Sequence, residues 1–224
     1  MLFSKRILVA LEGGPHCLDA INRARLIAQN TDAELELLWF GTQPAWAELE
    51  DDIRVLEKQC SVRRLVSTRG LLEDVKRAWQ ADHFALLIKG CDLQHARPAL
   101  MAPIDWQLLR ETPCPVLLVK RPEPWANGPI LAAVNPLSSK EHQLRHDQSV
   151  LKLASFIACE TGGELQTVVA TRPPMLAAEP ESQSPMLIEQ KARSATEEML
   201  KDLKVNPGKV HLGEGPAEYW IAQV

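Results

Sequence analysis

The chain has 224 residues, of which 46% are hydrophobic and 24% charged, a composition that suits one large or two small globular domains and excludes global disorder. Its 25 basic and 29 acidic residues leave a net charge of −4, without the basic footprint of a nucleic-acid or anionic-membrane binder. No apolar run reaches the ~20 residues of a membrane span, and Ile7–Leu11 falls short of the ~7–15 of a secretory core. A soluble, non-exported, cytoplasmic protein is the expectation.

The five cysteines, Cys17, Cys60, Cys91, Cys114 and Cys159, are scattered and form no CxxC pair. They read as reduced thiols, mostly small buried side chains, in a cytosolic compartment.

The first element is the apolar run Ile7-Leu8-Val9-Ala10-Leu11, stopped by Glu12-Gly13-Gly14-Pro15. Such a run reads as a strand buried on both faces, the parallel-sheet pattern. Leu18, Ile21, Ala24 and Ala28 then keep a helical stripe to about Asn30-Thr31. Leu35–Phe40 is the second strand, and Leu49, Ile53 and Leu56 mark a helix over 46–59. Val62–Thr68 is the third strand, closed by Gly70. Leu71, Leu72, Val75, Ala78 and Trp79 predict a third helix, and Phe84–Ile88 a fourth strand. Asp105 is placed to cap a short helix through Arg110, since its carboxylate can accept the free N–H groups of the first turn. Val116–Val119 is the fifth strand, led by Pro113 and Pro115, where missing N–H groups are tolerated. Strands alternating with helices predict βαβ units and a parallel sheet.

Residues 121–128, Arg-Pro-Glu-Pro-Trp-Ala-Asn-Gly, break the pattern as a linker. The first half then repeats. Pro129–Asn135 matches Arg6–Glu12, Gly163–Ala170 matches Ala33–Phe40, and Val210–Gly215 matches the third strand with its glycine. Helices at about 144–161 and 186–203 fill the gaps, and a Pro-rich insertion, Thr171–Pro185, precedes the second of them. Self-similarity in fixed order predicts tandem copies of one unit. Fifty residues separate Gly70 from Lys120, but only nine follow Gly215. The second copy therefore lacks a counterpart of Phe84–Val119, two strands and a helix, and a C-terminally truncated version of a longer protein is expected.

Three segments carry a resemblance: Ile7–Glu12, Asp105–Arg110, and Thr112-Pro113-Cys114-Pro115-Val116-Leu117-Leu118-Val119-Lys120, with Leu131–Asn135 fitting in the second copy. The repeat resembles the universal stress protein domain, in a tandem arrangement covering about residues 5 to 224. The resemblance implies α/β domains, each an open parallel sheet of order 3-2-1-4-5 with helices on both faces, and dimer-like pairing of the two. It divides the chain into a first domain, 1–121, a linker, 122–128, and an incomplete second domain, 129–224.

Nucleotide-binding members of the family end the first strand in Asp and follow the fourth with Gly-x-x-Gly, nine residues, and Gly-Ser/Thr. Glycines let backbone N–H groups approach phosphate, and a helix N-terminus completes the anion site. The positions that match here are Glu12, Gly90 and Asn135, and these are the family-aligned candidates for ligand binding. Departures surround them. Glu12 and Asn135 replace the Asp, Leu93 replaces the second glycine, Ala102-Pro103 replaces Gly-Ser/Thr, and Asp92 adds negative charge.

The remaining constellations have plainer readings. His142 and His146 have i, i+4 spacing but lack the central Glu of a metalloprotease helix, so a solvated helix end is expected and no metal. Gly13-Gly14-Pro15 lacks the continuation of a phosphate loop and reads as a tight turn. Cys17 lies near a helix N-terminus, where a dipole lowers a thiol's pKa, yet a packed side chain is its default. Neither a Ser-His-Asp set nor a nucleophile elbow emerges. The expectation is a non-catalytic stress-response protein that binds a small molecule or protein, without cofactor. Self-association or domain pairing is expected, with no nucleic acid or membrane. The alternative is an ATP-binding switch or weak ATPase.

Overall fold

The structure is a computed structural model and describes residues 6–14, 16–41, 46–91, 104–120, 126–174 and 184–224. Two compact units result, Met1–Glu123 and Pro124–Val224. The first contains β1 (Arg6–Leu11), α1 (His16–Thr31), β2 (Glu34–Trp39), α2 (Trp46–Glu57), β3 (Val62–Val66), α3 (Leu71–Ala81), β4 (Leu86–Gly90), α4 (Ile104–Glu111) and β5 (Val116–Val119). Its sheet is parallel throughout, in the order β3-β2-β1-β4-β5.

β1 sits at the centre, hydrogen-bonded on both edges, and its last five residues are buried. Strand side chains alternate between faces. Leu8 and Ala10 join Leu38, Leu87, Leu71 and Val75 of α3, and Leu108 of α4. Ile7, Val9 and Leu11 point the other way, the side on which α1 buries Ala20, Ile21, Ala24 and Ala28. Each fully buried Leu or Ile contributes roughly 1.5–3 kcal/mol.

Two sequence expectations shift. β4 begins at Leu86 instead of Phe84; ahead of it Phe84 is buried in the core and the Ala85 N–H bonds the Arg6 carbonyl (2.8 Å). Asp105 is no cap: it lies inside the first turn of α4, where its carboxylate is turned to β4.

The second unit contains β6 (Pro129–Ala133), α5 (Glu141–Thr161), β7 (Glu164–Thr171), α6 (Pro185–Leu203), β8 (Lys209–Glu214) and a five-residue α7 (Ala217–Ile221) that the sequence reading missed. Its parallel order, β6-β7-β8, repeats the first three strands of unit one. The joint after the first helix is copied almost atom for atom. Thr31 and Thr161 each donate a hydroxyl to the carbonyl four residues back, at 2.8 Å. The next residue turns left-handed in both, Asp32 at φ 53° and Gly162 at φ 65°. Ala33 and Gly163 then bond back to Ala28 and Ala158.

Helices α5 and α6 share one core with Ala132, Val134, Leu165 and Val169. The opposite face receives α7, whose Trp220 ring lies where a side chain at position 213 would stand, so only Gly213 fits there. Among the described residues β6 pairs with β7 alone, and Leu131 and Ala133 are exposed. Lone edges exchange more readily than doubly paired strands. Amide hydrogen exchange is expected to be faster at Ile130–Ala133 than at Ile7–Leu11. Equal protection in a monomeric sample would refute the edge assignment.

No helix among the described residues is long and apolar enough to cross a membrane.

Candidate functional site

In open α/β sheets, ligands gather at the carboxyl ends of the strands, where strand order reverses. In unit one that place lies between β1 and β4. Glu12 follows β1 directly, and Gly90 is the last residue of β4. The structure brings these two expected residues together through one that the sequence reading passed over, Lys89.

Lys89 is 4% exposed. Strand parity puts it on the α4 side, opposite Ala10 in register. Its ammonium pairs with Asp105 Oδ1 at 3.0 Å and Glu12 Oε2 at 3.7 Å, and donates to the Gly90 carbonyl at 3.0 Å. The Phe40 ring centroid lies 5.6 Å away, within cation–π range. A buried ammonium requires such partners, since an unpaired ion loses several kcal/mol of hydration. Asp105 also accepts from the Cys91 thiol at 3.3 Å. A cation bracketed by two carboxylates and a carbonyl is thus self-neutralised, and the carboxylates would repel an incoming phosphate.

Gly90 has a second constraint. A Cβ on it would overlap the backbone of His16, at the start of α1. Glycine here allows the close approach of a helix to a strand. The phosphate-loop positions Asp92, Leu93, Ala102 and Pro103 lie outside the described residues, as do residues 121–125 of the linker and 175–183 of the insertion.

The surroundings of Cys17 do not activate its thiol. Its Sγ accepts the Gly13 N–H at 3.1 Å, which favours thiolate, but burial outweighs this and pushes its pKa up. Burial and the Asp105 carboxylate push Cys91 up to about 11, and burial pushes Cys114 up to about 12. The redox reading of Cys17 therefore lacks its electrostatic basis.

Asn135, the third expected residue, belongs to unit two, two residues past β6. Its N–H donates to the buried Asp147 carboxylate at 2.8 Å, and Gln143 holds the other oxygen at 2.9 Å. It borders a cavity of about 600 Å³ at the carboxyl edge of β6-β7-β8. His142 and His146 both fall on α5, and among the described residues no group of three His, Cys, Asp or Glu could hold a metal.

No protein-family model matches the sequence, and no curated protein does. Solved structures do match. One assigned to the universal stress proteins, from Pseudomonas aeruginosa UCBPP-PA14, is 29% identical with a TM-score of 0.76, covering 98% of this chain and 77% of that one. A protein of unknown function from Pseudomonas aeruginosa PAO1 is 28% identical with a TM-score of 0.76, covering 98% and 76%. A universal stress protein from Archaeoglobus fulgidus is 13% identical with a TM-score of 0.61, covering 98% and 82%, a likeness of fold alone. The chain has the α/β fold of the universal stress proteins, with the 3-2-1-4-5 sheet in its first unit.

Two outcomes follow from this geometry. Gly90→Ala is expected to destabilise the first unit by roughly 1–3 kcal/mol through overpacking against α1, read as a lower midpoint in urea. An unchanged midpoint would free Gly90 for another role. With a thiol reagent at pH 8, the exposed Cys159 is expected to react first, while the raised thiols Cys17, Cys91 and Cys114 stay protonated and slow. Reaction of Cys17 as fast as Cys159 would contradict the burial argument.

Proposed function

We propose that this is a non-catalytic, cytoplasmic stress-response protein that acts by binding a small molecule or protein, with its two units paired as in tandem-domain members such as universal stress protein E. The first unit's strand-end site holds no nucleotide in this reading. One observation supports it: at this strand end the buried Lys89 ammonium is already matched by Asp105 and Glu12. Phosphate groups would have to displace an internal ion pair and lie against two carboxylates. The Gly90 approach to His16 supports the same reading, because it takes up the space a glycine leaves.

Calorimetric titration of the full chain with ATP and magnesium tests it. Little or no saturable heat is expected up to millimolar nucleotide. Micromolar affinity would overturn the reading in favour of a nucleotide-dependent switch or weak ATPase.

A further inference from the structure

The two carboxylates that face the Lys89 ammonium hold it unequally and without tight directional bonds. Glu12 stands 3.7 Å away with a side chain 60% exposed, so it reaches the ammonium from the solvent side. Asp105 stands at 3.0 Å with a side chain 25% exposed. Among the described residues no donor is aligned with its buried Oδ1, and its Oδ2 takes the Cys91 thiol, a weak donor, at 3.3 Å. The ammonium directs its hydrogen bond to the Gly90 carbonyl instead, at 3.0 Å. Charge, more than hydrogen-bond geometry, keeps the Asp105 carboxylate in place.

Asp105 is carried by the first turn of α4, and that helix has other anchors further along. Leu108 is fully buried in the core shared with β1, β4 and α3, and Glu111 pairs with Lys76 of α3 at 2.7 Å. Both anchors stand without the Asp105 contact. A tethered carboxylate has an effective concentration on the order of millimolar or higher, so a free anion meets a site that is already filled. The place Asp105 fills is the size of one carboxylate group, between an ammonium, a thiol and, 5.6 Å from the ammonium, the Phe40 ring.

We propose that the carboxyl end of β4 is a site for a small carboxylate whose occupant is built into the chain: Asp105 fills it as an autoinhibitory contact, and a small free carboxylate takes its place on Lys89 when that contact is released. Exchange of one carboxylate for another leaves the charge of the pocket unchanged, and the buried ammonium is never left unpaired, which is the costly state. A polyphosphate brings further negative charge beside Glu12 and gains no such match. The inference goes beyond the reading of the chain as a binding protein and does not depend on it, since it names the anion that this ammonium accepts.

The test empties the site and refills it from solution. Thermal unfolding of the full-chain E12Q/D105A variant is followed in sodium formate, sodium acetate and the bulky sodium pivalate, each against sodium chloride at equal ionic strength. Formate is expected to raise the midpoint by about 4 °C or more at roughly ten times its dissociation constant, acetate by less, and pivalate no more than chloride. The unaltered chain, with Asp105 in the site, is expected to show no rise specific to formate, and adding K89M to the double variant is expected to abolish the rise. If E12Q/D105A does not fold in chloride, its refolding yield in formate against chloride is the readout, and D105A, which keeps Glu12, is the milder variant for the unfolding series. No formate effect on midpoint or yield, an equal effect of pivalate, an equal rise in the unaltered chain, or a rise that survives K89M would overturn the proposal. The ATP titration reads the unaltered chain and the formate series reads the emptied site, so either reading can fail alone.

Discussion

A lysine ammonium buried at the end of β4 must find negative charge, because losing its hydration costs several kcal/mol. Lys89 finds it in Asp105, and that single requirement ties together strand, helix and site. The ion pair clamps the first turn of α4 onto β4, and the same carboxylate takes the Cys91 thiol. The Gly90 carbonyl accepts from the ammonium on one side while the Gly90 backbone lies under α1 on the other. Replacing the pair with apolar groups would remove the desolvation cost, whereas removing one partner alone would leave the other exposed to an apolar wall.

The two units show what a second neighbour does for a strand. β1 lies between β2 and β4, and its residues from Ile7 onward are buried. β6 has the same kind of sequence and the same register to its partner, but among the described residues it has one neighbour and shows Leu131 and Ala133 to solvent. The difference is tertiary, since an apolar strand becomes central only when another strand pairs with its free edge. The second unit has both long helices in one core, where Leu151, Ala192 and Leu200 meet.

Much of the fold was legible because hydrophobic period and glycine punctuation agree along the chain. Runs such as Ile7–Leu11 and Val116–Val119 have no helical period, and the strands appear within one or two residues of their expected places. The site was less legible. Glu12 and Gly90 could be found by alignment to a motif, but a motif says nothing of what replaces a missing ligand. Lys89 was the available signal, a lone charge closing the strand Leu-Leu-Ile-Lys-Gly. Its meaning depends on Asp105, sixteen residues away, which local reasoning assigned to a helix cap. Trp220 over Gly213 was hidden similarly, since α7 is only five residues long and owes its position to tertiary packing.

The two strand ends give one repeated unit two different surroundings. In unit one the strand-end residue is a carboxylate, Glu12, 3.7 Å from the internal ammonium that Asp105 pairs at 3.0 Å. In unit two Asn135 removes the carboxylate, and Asp147, which could have supplied one, is turned inward to hold the Asn135 N–H. A change at one strand end, from Glu12 to Asn135, thus replaces a carboxylate that reaches an internal ammonium with a backbone N–H held by an inward-turned carboxylate.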